Sequence, residues 1–419
     1  MKAEIITVGT ELMIGSTLNT NGPYLSRKLT DQGIEVAYHQ SISDGREVIE
    51  EALRIALGRS DLIFLGGGLG PTQDDQTKEI VAKSLGRKLI RDKDLEEDLR
   101  RYFSSRNYKM TQNNLKQADI IQGSQIIQNK NGTAVGECLA LDRGYLYLLP
   151  GPPREFEPMV DDLVANYLPK GDFDIYLKSI QVMLLGESTI ESRLRELGLE
   201  SPETSINTFA KLGEVEIKII SKLLREDPDK AEKLAYHERV IQELKKEFAP
   251  FIYSEEGEDL AQALVQKLIK KGQRISFAES ITGGRLAQKI TSVPGASKIL
   301  KSSYVTYSNE YKIKDLGVSQ DLLARKGAVC QEVADEMALG LYKRTGADLS
   351  LGTTGEAGPI SNENKPIGTL YFSIAHQGKL VEGKKLDLRG DRQSIQEKGT
   401  ILVLSHLMAY LKRGENHDQ

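Results

Sequence analysis

The chain opens on an apolar run, Ala3 to Val8, and its hydrophobic pattern then alternates between two periods. Thr20 to Leu29 has helical spacing and Ile34 to Ile42 is strand-like. Glu47 to Leu57 sets Val48, Ile49, Leu53, Ile55 and Ala56 at helical intervals, and Asp61 to Leu65 is a short continuous apolar run ending in glycines. This alternation predicts a parallel sheet covered by helices on both faces. A further run, Tyr145 to Leu149, stops at Pro150-Gly151-Pro152-Pro153, and Leu168-Pro169-Lys170-Gly171 marks a first boundary. Asp172 to Ala249 has a different texture: two strand-like stretches, a helix over Thr189 to Leu197 and a long charged helix from Asp229 to Phe248. From Glu258 the first pattern resumes, with strands at Arg274 to Ala278, Ser303 to Tyr307 and Asp348 to Gly352. A hairpin (Gly368 to Ala375, Lys379 to Leu388) and a last helix, Arg392 to Leu411, follow. The expected architecture is two doubly wound α/β domains, 1–171 and 253–419, joined by a small α+β domain over 172–252.

At about 150 residues per domain, a length of 419 residues suits two to three domains. Lys and Arg number 56 against 60 Asp and Glu, a net charge of −4, which gives no electrostatic basis for gripping nucleic acid. Cys138 and Cys330 stand far apart, and the five histidines show no HExxH spacing. A thiolate zinc site, a zinc hydrolase and a Ser-His-Asp hydrolase therefore all lose support. No window approaches about 18 consecutive apolar residues and no leader pattern follows Met1, so a soluble cytoplasmic protein without membrane contact is expected.

Three polar, glycine-punctuated strand ends in the last third carry candidate chemistry: Glu279-Ser280-Ile281-Thr282-Gly283-Gly284, Thr306-Tyr307-Ser308-Asn309 with Lys312, and Thr353-Thr354-Gly355-Glu356. In doubly wound sheets ligands bind at such ends, and N–H groups at a helix start suit a phosphate. A simple helix cap explains Ser280 or Thr282 equally well. With no histidine available, a serine nucleophile needs another base. A lysine works as one if burial lowers its pKa from ~10.4 to about 7–8, and Lys312 is the lysine closest after a motif strand.

The motifs AESxTGG (278–284), VTYSN (305–309), GAVxxE (327–332), TGxAGP (354–359), KPIGTLYF (365–372) and GDR (390–392) together resemble the C-terminal domain of the competence/damage-inducible protein A (CinA) family. The resemblance spans about Glu258 to Leu411. It implies a nicotinamide mononucleotide (NMN) amidohydrolase, with Ser280 as nucleophile, Lys312 as its base, Tyr307 positioning the pair and Thr354 beside the reacting carboxamide. Thr282, Gly283, Gly284, Asn309, Gly355 and Arg392 would meet the nucleotide, and no cofactor is implied. Ile281 and Glu356 depart from the Cys and Ile usual in these motifs. Of the two, Glu356 puts a charge beside a pocket meant for an anionic nucleotide.

In the first third, Gly66-Gly67-Gly68-Leu69-Gly70-Pro71-Thr72-Gln73-Asp74-Asp75 follows a strand-like run. The glycines permit positive φ and close approach of a phosphate. Asp74 and Asp75 are expected in the first turn of the next helix, where the dipole favours acids, and the pair also suits a divalent cation such as Mg²⁺. Glu11, Asn19 and Asn21 lie after another strand end. GTELxxG, the Thr20-Asn21 pair, GGLGPTxDD, NGTAxG and LPGPPxE resemble the N-terminal domain of the same family, similar to molybdopterin-binding proteins. The resemblance implies a metal-dependent ADP-ribose pyrophosphatase, with Gly67, Gly68, Gly70 and Thr72 cradling the pyrophosphate and Asp74 and Asp75 handling the metal. It also implies a homodimer and a KH-like middle domain, although that segment holds no GxxG loop and gives no indication of RNA binding. The same residues admit two other readings: a molybdopterin-handling protein, and a non-enzymatic scaffold in competence or DNA damage.

Overall fold

The computed structural model describes residues 1–361, 363 and 365–415. The chain divides into two compact units, Met1–Tyr176 with Lys222–Ala231, and Leu177–Ser221 with Glu232–Gln419.

In the first unit the apolar runs become β1 (Lys2–Val8), β2 (Glu35–Ile42) and β3 (Leu62–Gly66). They are followed by the three-residue strands β4 (Leu89–Arg91), β5 (Asp119–Ile121) and β6 (Gln125–Ile127), then β7 (Gly136–Ala140) and β8 (Tyr145–Leu149). β4 pairs with β5 alone, and the main sheet runs β2-β1-β3-β8-β7-β6. Its first four strands are parallel, whereas β7 and β6 are antiparallel to their neighbours, so the sheet is mixed rather than parallel throughout. The cause is local: only Leu141 to Gly144 separate β7 from β8, too few residues for a crossover. Along β3, Leu62 and Phe64 pack with Leu25, Leu29 and Phe156 on one face. Ile63 and Leu65 pack with Ile49, Leu53 and Ile80 on the other, so helices cover both faces.

Between residues 173 and 254, β9 (Phe173–Met183), β10 (Thr204–Lys211), β11 (Glu214–Leu224) and β12 (Ile252–Ser254) form a sheet in the order β10-β11-β9-β12. Ile180, Val182, Ile217 and Ile219 pack there against Val240, Leu244 and Phe248 of the helix Lys230–Phe248.

The last sheet holds β13 (Ile275–Glu279), β14 (Leu300–Val305), β15 (Leu349–Gly355), β16 (Thr369–His376) and β17 (Lys379–Asp387), ordered β14-β13-β15-β16-β17. The first three are parallel, and β16 and β17 add the antiparallel hairpin. Its turn, Gln377-Gly378, has φ of 49° and 76°, the positive values a two-residue turn between twisted strands requires. Helices Leu260–Lys271, Arg285–Thr291 and Arg392–Glu415 cover one face, and Asn309–Leu316, Gln320–Lys326 and Gln331–Thr345 the other. Because β13, β14 and β15 run parallel, their polar C-terminal ends open on one rim.

Candidate functional site

On that rim lies a cavity of about 170 Å³, and Ser280, Tyr307, Asn309, Lys312, Thr354, Gly355 and Arg392 all line it. Ser280 follows directly on β13, its N–H held by the Thr353 carbonyl at 3.1 Å. Ser308 caps the helix Asn309–Leu316, which therefore starts just past the end of β14 and turns Lys312 inward. Lys312 is 2% exposed. Its Nζ donates to Ser280 Oγ at 3.1 Å and to the Thr306 carbonyl at 2.9 Å. Burial pushes this amine down to about 8, against an upward pull from Glu363.

The other expected residues divide by position. Thr354 donates its hydroxyl to the Ala328 carbonyl at 2.7 Å. The Tyr307 phenol is bonded to Arg392 rather than to Ser280 or Lys312: it accepts from Arg392 Nη2 at 2.6 Å, while Arg392 Nη1 donates to the Gly358 carbonyl. Thr282, Gly283 and Gly284 stand outside the cavity wall. The Thr282 hydroxyl is buried against that of Thr353 at 3.0 Å, and Gly283 N–H donates to the Ser280 carbonyl. The N–H groups expected to await a phosphate are taken: the Glu279 carboxylate accepts from Gly284, Leu286 and Ala287 at 2.9, 3.1 and 3.0 Å. The N–H groups of Gly283 and Gly284 are thus both engaged within the protein. Sequence reasoning missed this role of Glu279, an acid at a strand end four residues before a glycine pair, whose position was the one available signal of a cap supplied from the strand. It also missed Glu363, which accepts from the N–H groups of Ala328 and Val329 at 2.7 and 2.8 Å and has no signal of its own in a polar loop.

The first unit holds a larger cavity of about 570 Å³, lined by Glu11, Asn19, Asn21, Gly67, Gly68, Gly70, Thr72, Asp74 and Asp75. Gly67 and Gly68 have φ of 123° and 69°. What crowds them is protein: a Cβ on Gly67 would lie 2.2 Å from the Val8 carbonyl, and one on Gly68 2.1 Å from Thr77 Oγ1. Asn19 donates to Thr7 and Ser41, and Asn21 to the Gly151 carbonyl, so both brace the cavity wall. Asp74 and Asp75 precede the next helix, Thr77–Ser84, rather than entering its first turn. Asp75 instead closes the loop, accepting from Thr72 N and Oγ1 at 2.9 and 2.6 Å. Among the described residues no group of three or more His, Cys, Asp or Glu side chains is placed to hold a metal. Asp74 and Asp75 offer oxygen donors of the kind a hard divalent cation takes, but by themselves fewer than such an ion needs.

A buried serine–lysine pair on the rim of one sheet and a glycine-loop cleft beside another define a two-part α/β protein with a candidate site in each part. Residues 257–411 match the family described as "CinA C-terminal domain" and residues 4–170 the "Probable molybdopterin binding domain". A CinA-like protein of Dictyoglomus turgidum is 40% identical over 403 residues, covering 96% of this chain and 97% of its own. One from Kosmotoga olearia is 40% identical over 407 residues, covering 96% and 97%. The solved structure of the CinA protein "with unknown function" from Thermoplasma acidophilum is 35% identical, covering 40% of this chain and 98% of its own, with a TM-score of 0.37. The chain belongs to the CinA family. Among its described residues no helix is long and apolar enough to cross a membrane.

Proposed function

We propose that the C-terminal site hydrolyses the carboxamide of NMN, releasing ammonia and nicotinate mononucleotide. The observation that carries this reading is the 3.1 Å contact between Ser280 Oγ and Lys312 Nζ, both buried, with the amine lowered toward neutrality. A neutral Lys312 takes the Ser280 hydroxyl proton as Oγ attacks the carboxamide carbon. The same proton passes to the amide nitrogen, the C–N bond breaks and ammonia leaves. Water then attacks the acyl ester, giving a proton to Lys312, which returns it to Ser280 as the acid departs. The Thr306 carbonyl fixes the amine, and Arg392 with Tyr307 offers a cationic edge for the phosphate. The test is ammonia release from NMN by the purified chain in the presence of EDTA. Wild type is expected to be active and both Ser280→Ala and Lys312→Ala to lose at least about a thousandfold, as nucleophile–base units do; a folded, inactive wild type would refute the reading.

We further propose that the N-terminal cavity cleaves the pyrophosphate of ADP-ribose, a reading favoured by the glycine loop and Asp74-Asp75 lining one cleft. Asp74 and Asp75 are the residues to hold a divalent cation, which when bound neutralises charge on the leaving phosphate. Gly70 to Thr72, held by Asp75, shape the loop against which the phosphates rest.

A further inference from the structure

The charged lining of the N-terminal cleft consists of acids: Glu11, Asp44, Asp74, Asp75 and Glu155. Without a bound cation these walls repel a diphosphate, so the choice among substrates has to come from the groups that the phosphates carry. A side cavity of about 160 Å³ adjoins the cleft and shares Gln117 and Thr133 with its lining. We propose that this side cavity is the subsite for the heterocyclic base of the nucleotide, with Tyr102 as its aromatic wall and the Gln117 amide at its polar edge. The inference rests on the pyrophosphatase reading and names the part of the substrate that the site selects.

One face of the helix Lys93–Ser105 builds the apolar side. Leu95, Leu99 and Tyr102 recur on it at helical spacing and all line the side cavity. Asp92 caps this helix by accepting from the Leu95 N–H at 2.9 Å, which fixes where the face begins. Leu95 and Leu99 pack with Ala118 and Val135 in a hydrophobic cluster of their own, and Val135 completes the apolar lining. Tyr102 is half-buried, and Arg106 lies over one face of its ring, 3.8 Å from the centroid. An aromatic ring among aliphatic side chains is the surface on which a flat base packs, whichever base it is.

The polar edge lies where the two cavities meet. Gln117 sits in the turn Gln112–Ala118, and its own carbonyl accepts from Lys78 Nζ at 3.3 Å. It is 3% exposed, yet its side-chain Oε1 has no hydrogen-bond partner among the described residues. A buried amide oxygen left unpaired is costly, and a ligand N–H removes that cost. Adenine offers both an amino donor and a ring-nitrogen acceptor on one edge, the pattern that a glutamine amide matches with two bonds. The charged residue on the lining of the side cavity, Asp98, is ion-paired with Arg101 at the surface. The side cavity therefore suits a neutral ring, whereas the acidic cleft beside it takes phosphate together with a cation.

The experiment compares kcat/KM for cleavage of ADP-ribose and of the base-free diphosphate that carries a ribose at each end, with Mg²⁺ present. Wild type is expected to favour ADP-ribose about tenfold or more. Tyr102→Ala, and Gln117→Met, which keeps the length of the side chain, are each expected to lower kcat/KM for ADP-ribose about fivefold or more, chiefly through KM. Cleavage of the base-free diphosphate is expected to stay within about twofold in both variants. Thermal melts confirm that the variants are folded, and the half-buried Tyr102 keeps the comparison usable if the Gln117 variant is not. Equal losses on both substrates, or a wild type that cleaves the two equally well, overturn the subsite. A wild type that cleaves neither overturns instead the pyrophosphatase reading. The dissociation constant of AMP, measured by calorimetry with Mg²⁺, then tests the subsite alone: weaker binding in both variants supports it, and binding unchanged in both overturns it.

Discussion

At the scale of single residues the protein turns on Lys312, whose burial has opposite effects on chemistry and stability. With the amine at about 8, only about a tenth of the molecules carry it neutral at pH 7, and the rest must lose a proton before Ser280 can react. Ammonia release at low substrate is expected to rise about tenfold per pH unit up to about pH 8 and to level above it. A profile already flat between pH 6 and 7 would remove Lys312 as the titrating base. Stability follows the same proton. The folded pKa lies below the unfolded value, so between about pH 8 and 10.5 the unfolded chain binds more protons and this residue's contribution rises with pH. Below pH 8 its cost is constant. The stability of wild type relative to Lys312→Met is therefore expected to shift in favour of wild type across that alkaline window, measured by denaturant unfolding.

Elements show why some of the site could be read from the sequence and some could not. Long periodic segments were legible: β1, β3 and β13, the helices Arg46–Arg59 and Lys230–Phe248, and the β16–β17 hairpin. Between Ser84 and Gly136 the reading gave no element, because β4, β5 and β6 are three residues each and too short for any period. The helix Lys93–Ser105 in that stretch buries only Leu95 and Leu99. The rim of the last sheet was legible because glycines and hydroxyl residues cluster at its strand ends. The direction of side chains around it was not, since Tyr307 points to Arg392 and Thr282 to Thr353 by packing rather than by spacing. Glu279 is the clearest case. The strand was placed to within a residue and the helix begins only at Arg285, yet the donors assigned to a phosphate belong to a carboxylate that also accepts from Ser303. Glu279→Ala leaves several buried donors unpaired at the start of the helix Arg285–Thr291, next to Ser280. It is expected to cost about 2–4 kcal/mol in denaturant unfolding and to lower ammonia release, whereas a loss below about 0.5 kcal/mol would show that the cap is dispensable.

Over the whole molecule, the two units keep separate hydrophobic cores and each has its own cavity. The chemistry proposed for each draws on different resources. The C-terminal pair has its own nucleophile and base in Ser280 and Lys312, and nothing in that reaction calls for a cation. The N-terminal cleft has carboxylates, a glycine loop and braced asparagines, which orient phosphates and can carry a cation but include no buried nucleophile–base pair like that of the other unit. The two activities should therefore separate cleanly in one preparation. EDTA is expected to abolish ADP-ribose cleavage, with added Mg²⁺ or a similar ion restoring it, and to leave ammonia release from NMN within about twofold. Asp74→Asn with Asp75→Asn should mimic EDTA without affecting ammonia release, and Ser280→Ala should do the reverse. Both products can be followed in parallel on the same samples. If EDTA removed both activities, the metal-free account of Ser280 and Lys312 would fail; if Ser280→Ala removed both, so would the assignment of separate sites to the two units.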